Sequence, residues 1–199
     1  NPLVSIGASL RELVTDLDEG IVEPDELRQE LTGVSEEVDR LDGILHDYLA
    51  LARHPTMLPR IVRVGRVIED AVRVVSQNPA AKRRRIVTEI AEDDEVLADA
   101  DGLRQVFLNL ALNALEASEE GTSVVIRTRR AGGEVISEIV DGGKGLPADV
   151  QPDRLFEPFV TTKRGGSGLG LAVTRKIVEE LGGRISLAPS AGGGAVARV

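Results

Sequence analysis

The chain has 199 residues, of which 42% are hydrophobic and 2% aromatic, and its formal net charge is −9. This length predicts one large or two small domains with an aliphatic core, and the acidic charge argues against a nucleic-acid surface, which needs a basic stripe. Because the sequence has no cysteine and two histidines, it excludes a disulfide, a thiolate metal site and a histidine-rich metal centre.

The sequence predicts no membrane segment and no signal peptide, since no run of about 18 apolar residues occurs. We expect that this chain makes no membrane contact and lies in the cytoplasm. The full-length protein can still be anchored to a membrane by another segment. The basic run at residues 82–85 is interpreted as a solvated turn. Because the chain lacks an initiator Met and stops within a predicted strand, we expect it to be a fragment.

Residues 1–53 have the period of two amphipathic helices. Apolar residues recur at spacings of three and four, and Asp18-Glu19-Gly20 separates two runs. Pro24, followed by two acids, is typical of a helix start. Two such helices leave much of each apolar seam in water, so we expect a homodimer through residues 1–53, as a four-helix bundle. The seams consist of Leu3, Ile6, Leu10, Leu13 and Leu17, then of Leu27, Leu31, Val34, Val38, Leu41, Leu45, Tyr48 and Ala52.

A proline-rich stretch separates this hairpin from a mixed α/β region. We assign residues 1–54 to the hairpin, 55–60 to a linker and 61–199 to a second domain. The second domain is predicted to be an α+β sandwich, with helices on one face of a mixed sheet. Its predicted helices are Arg66–Ser76, Asp101–Ser118 and Gly168–Leu181, and its predicted strands are Ile61–Val64, Arg85–Ile90, Glu95–Ala98, Val124–Arg129, Val135–Val140, Ile185–Leu187 and Ala195–Val199.

Two asparagines in the second domain's central helix are candidates for cation binding. Asn109 and Asn113 lie one helical turn apart and share a face. Asparagine is a poor helix former, so two of them in an apolar helix need a reason. Amide oxygens, with water and substrate phosphates, are ligands that Mg²⁺ prefers, although two surface amides are the alternative.

Glycine-rich segments on either side of a short aromatic cluster complete the candidate site. Asp141 follows a predicted strand and can accept a hydrogen bond from an exocyclic amine, while nearby glycines let a flat ring approach the backbone. Two of the three phenylalanines, Phe156 and Phe159, precede the cluster Gly165–Gly170. That cluster opens into a helix, whose free N–H groups and dipole favour phosphate. By itself, such a cluster is equally consistent with a turn.

In this order, four segments resemble the catalytic and ATP-binding domain of sensor histidine kinases, within the group that shares the Bergerat nucleotide fold. Residues 109–117 (NLALNALEA) resemble its N box and 141–146 (DGGKGL) its G1 box. Residues 155–159 (LFEPF) resemble its F box and 166–171 (GSGLGL) its G2 box. The first 53 residues resemble the dimerisation and phosphoacceptor hairpin.

The resemblance implies ATP and Mg²⁺ as cofactors, and it implies roles for individual residues. Asn113 is expected to ligate Mg²⁺ with support from Asn109, and Asp141 to accept from the adenine amine. The remaining expected ATP-site residues are Gly143 and Gly145 at the adenine, Phe156 and Phe159 as anchors of a lid over residues 146–167, Lys163, Arg164 and Ser167 within that lid, and Gly168, Leu169 and Gly170 at the phosphates.

Two positions refine the expected activity. ATPases of this fold commonly carry an acid one turn before the magnesium-binding asparagine; here Asn109 occupies that position, and an amide cannot act as a general base. Phosphoryl transfer to a protein is therefore favoured over hydrolysis. Many kinases have a basic residue three positions after that asparagine, where this chain has Glu116. Because an acid repels phosphate, we expect Glu116 to point away.

The phosphoacceptor is expected to lie outside the sequence. The family motif is His-Glu-x-x-Asn-Pro-Leu, and the chain begins with Asn1-Pro2-Leu3, which places the acceptor His four residues upstream. His46 and His54 are poor substitutes. Asn1 matches a position that assists phosphatase activity in related kinases.

We expect a histidine kinase core that passes phosphate to an Asp of a response regulator, while this chain itself does not autophosphorylate. The alternatives are a nucleotide-binding pseudokinase or response-regulator scaffold, a Bergerat ATPase, and a serine-directed anti-sigma kinase.

Overall fold

The structure, a computed structural model, divides into two compact units, Asn1–Arg53 and His54–Val199. Among the described residues, no helix is both long and apolar enough to cross a membrane. Asn1, His54, Arg164 and residues 55–57 of the predicted linker fall outside the described residues. The described residues are 2–20, 23–52, 58–92, 94–163 and 166–199.

The first unit is the predicted pair of helices, α1 (Pro2–Glu19) and α2 (Pro24–Ala52), which pack on each other. Asp25 and Glu26 lie in the first turn of α2, where they face the positive end of the helix dipole. Leu13 is 3% exposed, but many other apolar seam residues remain open to solvent. A single hairpin therefore leaves most of its apolar surface uncovered.

The second unit has three helices, seven strands and two short 3₁₀ helices among its described residues. The 3₁₀ helices at Pro79–Arg83 and Pro152–Phe156 were not predicted, because both begin at prolines within otherwise turn-like sequence. The other elements are β1 (Arg60–Arg63), α3 (Val64–Val75), β2 (Arg85–Glu89), β3 (Glu95–Ala98), α4 (Ala100–Ala117), β4 (Ser123–Ala131), β5 (Glu134–Val140), α5 (Gly170–Glu180), β6 (Ser186–Pro189) and β7 (Ala195–Arg198).

A mixed five-stranded sheet organises this unit, in the order β2-β4-β5-β7-β6. Strands β2 and β4 are parallel, and the other neighbours are antiparallel. Strands β1 and β3 form a separate antiparallel pair. Gly132 and Gly133 join β4 to β5 with positive φ at both positions (60° and 86°), as a type I′ hairpin requires. The mixed sheet and the α+β class are confirmed.

The core lies between the sheet and the layer of α3, α4 and α5. Alternate residues of the strands are buried, including Val124 and Ile126 on β4 and Ile139 on β5. Helix α4 packs between α3 and α5, and Asp99 caps its start by accepting from Gly102 N at 2.8 Å. The Gly102 N–H and then the Leu58 N–H lower the pKa of Asp99. This cap fixes where the helix carrying the two asparagines begins.

Candidate functional site

Helix α4 supplies the two candidate amides, and its apolar face holds it against the core. Leu110 and Ala114 are buried, while Asn109 and Asn113 are half-buried. Asn109 Nδ2 lies 3.4 Å from Gly170 O and 3.4 Å from Thr174 Oγ1, so it donates toward the first turn of α5. The Asn109 amide therefore ties α4 to the start of α5.

Asn113 faces a lysine from the segment before α5. Its Oδ1 accepts from Lys163 Nζ at 2.8 Å, and the same ammonium pairs with Glu116 Oε2. The expectation that Glu116 points away from the site is therefore wrong. Glu116 lies one turn after Asn113 on α4, so both side chains reach one ammonium.

The loop after β5 is fixed around Asp141. Its Oδ1 accepts from the backbone N–H groups of Gly143 (2.9 Å) and Ala195 (3.1 Å). Among the described residues, no hydrogen bond is made to Oδ2, which leaves this oxygen able to accept from a ligand amine. The loop also touches the end of α4, through a bridge between Gly143 and Ser118.

Two glycines in this region are required by close backbone approach. A Cβ on Gly143 would lie 2.1 Å from Ala117 O, and one on Gly194 would lie 2.1 Å from Asp141 O. Gly145 has φ +82°, in the left-handed region that favours glycine. Gly194 was not among the predicted site residues, because glycines 192–194 are indistinguishable in sequence from an ordinary turn.

The two phenylalanines have different roles in this structure. Phe156 is 4% exposed and lies under the Arg175 guanidinium, 5.1 Å from the ring centre. The Phe159 side chain is 69% exposed, and its backbone N–H donates to Gly168 O at 3.0 Å. Packing of the side chain thus holds Phe156, whereas a backbone hydrogen bond holds Phe159.

Helix α5 begins at Gly170 and not at Gly168 as predicted. Gly168 has φ +67°, which is not helical, and a Cβ there would lie 2.5 Å from Phe159 C. Leu169 is buried (1% exposed), and its N–H donates to Ser167 Oγ at 3.2 Å. The first-turn N–H groups of α5 have no acceptor within the helix, so they can serve an anion.

The Asp141 loop, the segment that carries Lys163 and the start of α5 therefore all contact the C-terminal half of α4. Asn109 contacts the first turn of α5, Asn113 contacts Lys163, and the Asp141 loop contacts residues 117–118. This arrangement offers amide oxygens, a free carboxylate oxygen, an ammonium group and a helix N-terminus. Such groups suit a ligand that carries an amine at one end and anionic groups with a cation at the other.

The sequence matches one protein family along half of its length. Residues 98–199 match the family described as histidine kinase-, DNA gyrase B-, and HSP90-like ATPase. The curated relatives include the sensor histidine kinase ZraS of Escherichia coli strain K12, 37% identical over 164 residues, which cover 81% of this chain and 35% of ZraS. The chain thus spans about a third of the length of this relative.

Two solved structures share this fold. The histidine kinase ThkA in complex with the response regulator protein TrrA has a TM-score of 0.82 at 24% identity, over all of this chain and 56% of the solved chain. Full-length ShkA in complex with AMPPNP has a TM-score of 0.72 at 28% identity, over 87% of this chain and 38% of ShkA. The chain belongs to the histidine kinase-, DNA gyrase B-, and HSP90-like ATPase family.

Proposed function

We propose that this chain is the core of a protein-histidine kinase that binds ATP with Mg²⁺ and phosphorylates a histidine on the helical hairpin. In this assignment residues 1–54 are the phosphotransfer hairpin, 55–60 the linker and 61–199 the catalytic domain. The observation that carries the proposal is the meeting of three distant segments on the C-terminal half of α4. The Asp141 loop and the start of α5 resemble the G1 and G2 boxes, and Lys163 lies between the segments that resemble the F and G2 boxes.

The adenine end of the site is assigned to the Asp141 loop. Oδ1 of Asp141 is used by the backbone of Gly143 and Ala195, so the carboxylate is held in one orientation. Oδ2 then accepts from the adenine amine, and Gly143 and Gly145 shape the loop beside the adenine. The solved structure of ShkA with AMPPNP supports nucleotide binding by this fold.

The phosphate end is assigned to α4 and the start of α5. Asn113 suits Mg²⁺ because its amide oxygen is a neutral oxygen ligand of the kind that Mg²⁺ takes beside water and phosphate. In this structure that oxygen faces a cation, the Lys163 ammonium at 2.8 Å. When bound there, Mg²⁺ would neutralise phosphate charge. We assign phosphate contacts to Lys163, Ser167, Gly168, Leu169 and Gly170, and we assign Phe156 and Phe159 to anchoring the segment that covers the nucleotide.

Transfer to a protein, rather than hydrolysis, is supported by Asn109. Its Nδ2 donates toward Gly170 O and Thr174 Oγ1, and an amide cannot take a proton from water. In the proposed reaction the bond from the γ-phosphorus to its bridging oxygen breaks. A phosphorus–nitrogen bond to a neutral imidazole forms, and ADP leaves with the electron pair.

The acceptor and partners follow from the hairpin. We propose that the acceptor His precedes Asn1 in the full-length protein, that the hairpin dimerises, and that the phosphoryl group then passes to an Asp of a response regulator. The solved complex of ThkA with the response regulator protein TrrA supports such a partner. A phosphatase-type role for Asn1 is part of the same proposal.

Radiolabelled ATP tests this function. We expect no label on the 199-residue chain, and label on a chain extended upstream through the His-Glu motif of the full-length gene. The same extended chain with Asn113→Ala should stay unlabelled. Nucleotide binding without label on the extended chain would contradict the kinase and favour the scaffold or pseudokinase alternative.

A further inference from the structure

The Glu116–Lys163 ion pair lies at the expected cation position of the site. Lys163 Nζ donates to Asn113 Oδ1 at 2.8 Å and to Glu116 Oε2, so one ammonium bridges two residues of α4. The Lys163 and Glu116 side chains are 38% and 40% exposed. The pair is thus partly shielded, and it joins the segment before α5 to the helix that carries Asn113.

An ammonium and a divalent cation compete for the same amide oxygen. An ammonium group donates to an oxygen lone pair, and Mg²⁺ binds a lone pair of the same atom at a shorter distance. The amide oxygen has two lone pairs, but an ammonium held 2.8 Å from Asn113 Oδ1 would lie close to a divalent ion on the same atom, and the two positive charges would repel each other. The carboxylate of Glu116 favours the ammonium, because it supplies the negative charge that the neutral Asn113 lacks.

We propose that Glu116 holds Lys163 on Asn113 in the nucleotide-free protein, and that Mg²⁺·nucleotide binding has to break this pair. Glu116 is thus a positioning residue that lowers nucleotide affinity, and Lys163 becomes available to the phosphates only after it leaves Asn113. The inference rests on the proposed nucleotide site. It also gives a role to an acid that would otherwise repel phosphate.

The expected size of the effect is modest, because partly exposed ion pairs contribute little. Such pairs change an equilibrium by about two- to fivefold. We therefore expect Glu116→Gln to lower the dissociation constant of Mg²⁺·ADP by about two- to fivefold in calorimetric titration. The matched control is Glu120→Gln, which removes the exposed pair with Arg83 and should leave the constant unchanged.

A second measurement separates the ion pair from simple charge repulsion. Without nucleotide, the rate at which a mild acylating reagent modifies Lys163 is followed by mass spectrometry, with exposed Lys82 as internal reference. We expect Lys163 to react more slowly than Lys82 in the unmodified chain and to speed up in Glu116→Gln. If Glu116 only repelled phosphate, its removal would not alter the Lys163 rate.

The two measurements also distinguish this inference from the proposed function. Failure of the unmodified chain to bind Mg²⁺·ADP would overturn the nucleotide site, whereas the Lys163 rate tests the ion pair without nucleotide. An unchanged or weaker affinity in Glu116→Gln, in a chain that binds Mg²⁺·ADP, overturns the inference. An unchanged Lys163 rate in that variant overturns it as well.

Discussion

Gly143 and Gly170 lie in neighbouring parts of the site, yet only one of them is required by the fold. A Cβ on Gly143 would meet a backbone oxygen at 2.1 Å, whereas nothing lies within 4 Å of a Cβ on Gly170. A backbone atom cannot rotate away as a side chain can, so the clash at Gly143 has no inexpensive solution.

We expect Gly143→Ala to lower the free energy of unfolding by about 2–3 kcal/mol. Gly170→Ala should leave it unchanged or raise it by up to about 1 kcal/mol, since alanine is the better helix former. Urea denaturation followed by circular dichroism measures both. Equal destabilisation by the two variants would contradict the packing described for the Asp141 loop.

Individual site residues are partly predictable from sequence. Asn109, Asn113 and Asp141 stand out because their types and spacing are unusual for a helix interior or a strand end. The Glu116–Lys163 pair was not predicted, because its members are 47 residues apart and no periodicity relates them. The exposure of Phe159 was also missed, since a left-handed backbone conformation (φ 68°) at a phenylalanine has no sequence signal.

Among the elements, strand β5 carries a buried acid held by its two neighbouring strands. Glu138 accepts from Arg127 on β4 at 2.7 Å and from Arg198 on β7 at 2.6 Å, and its side chain is 7% exposed. Burial by itself raises the pKa of Glu138, but the hydrogen bonds from Arg198 and Arg127 outweigh it and lower the pKa. The charged form of Glu138 therefore stabilises the sheet.

This lowered pKa sets the expected pH dependence. A carboxyl whose pKa is lower in the folded state contributes stability above its unfolded value of about 4.3, and loses it as pH falls through the folded pKa. Glu138→Gln should therefore lower the unfolding free energy by about 1–3 kcal/mol at neutral pH, and the deficit should shrink below about pH 4. Urea denaturation at several pH values measures it.

The control for this prediction is Glu89→Gln. Glu89 lies on the edge strand β2, in register with Arg127 on β4, and it is exposed. Its loss should therefore change stability by less than about 0.5 kcal/mol. If the loss of unfolding free energy in Glu138→Gln stayed the same at pH values well below about 4, the charge of Glu138 would not be its cause.

The elements themselves follow from periodicity more readily than their ends do. The three-four spacing of α1, α2 and α4 and the alternation of β4 and β5 are imposed by burial of one face. The start of α5 differs from the prediction because left-handed Gly168 passes too close to Phe159 to begin a helix. That approach involves tertiary contact, which a local pattern does not contain.

At the scale of the whole molecule, the first unit has an apolar stripe that its own helices leave uncovered. Leu31, Val38 and Leu45 repeat every seven residues on α2 and are 48%, 48% and 54% exposed. A second hairpin would cover this stripe, as in a four-helix bundle. The protein is therefore expected to sediment as a dimer at micromolar concentrations.

Leu31→Lys combined with Val38→Lys should shift the sedimenting species to the mass of one chain, 21.2 kDa. Two lysines facing each other across a bundle seam cannot be buried without a large desolvation cost. The control Gln29→Lys adds a charge on the opposite face of α2 and should remain dimeric. A monomer in the unmodified protein would contradict this assembly.

Calorimetric titration with ADP is the most direct test of whether the C-terminal half of α4, the Asp141 loop and the start of α5 bind a nucleotide with Mg²⁺. Asp141→Asn keeps an oxygen for Gly143 and Ala195 but replaces the second oxygen by a donor, so it removes adenine recognition with little change to the loop. Asn113→Ala removes the proposed metal ligand. Gln77→Ala, an exposed amide at the end of α3, is the control.

We expect micromolar binding by the unmodified chain and by the control. With Mg²⁺, affinity should fall at least about tenfold in each site variant. Without Mg²⁺, only Asp141→Asn should weaken the residual binding. A folded, unmodified chain that takes up no ADP with Mg²⁺, or site variants that bind as well as the control, would contradict nucleotide binding at this site.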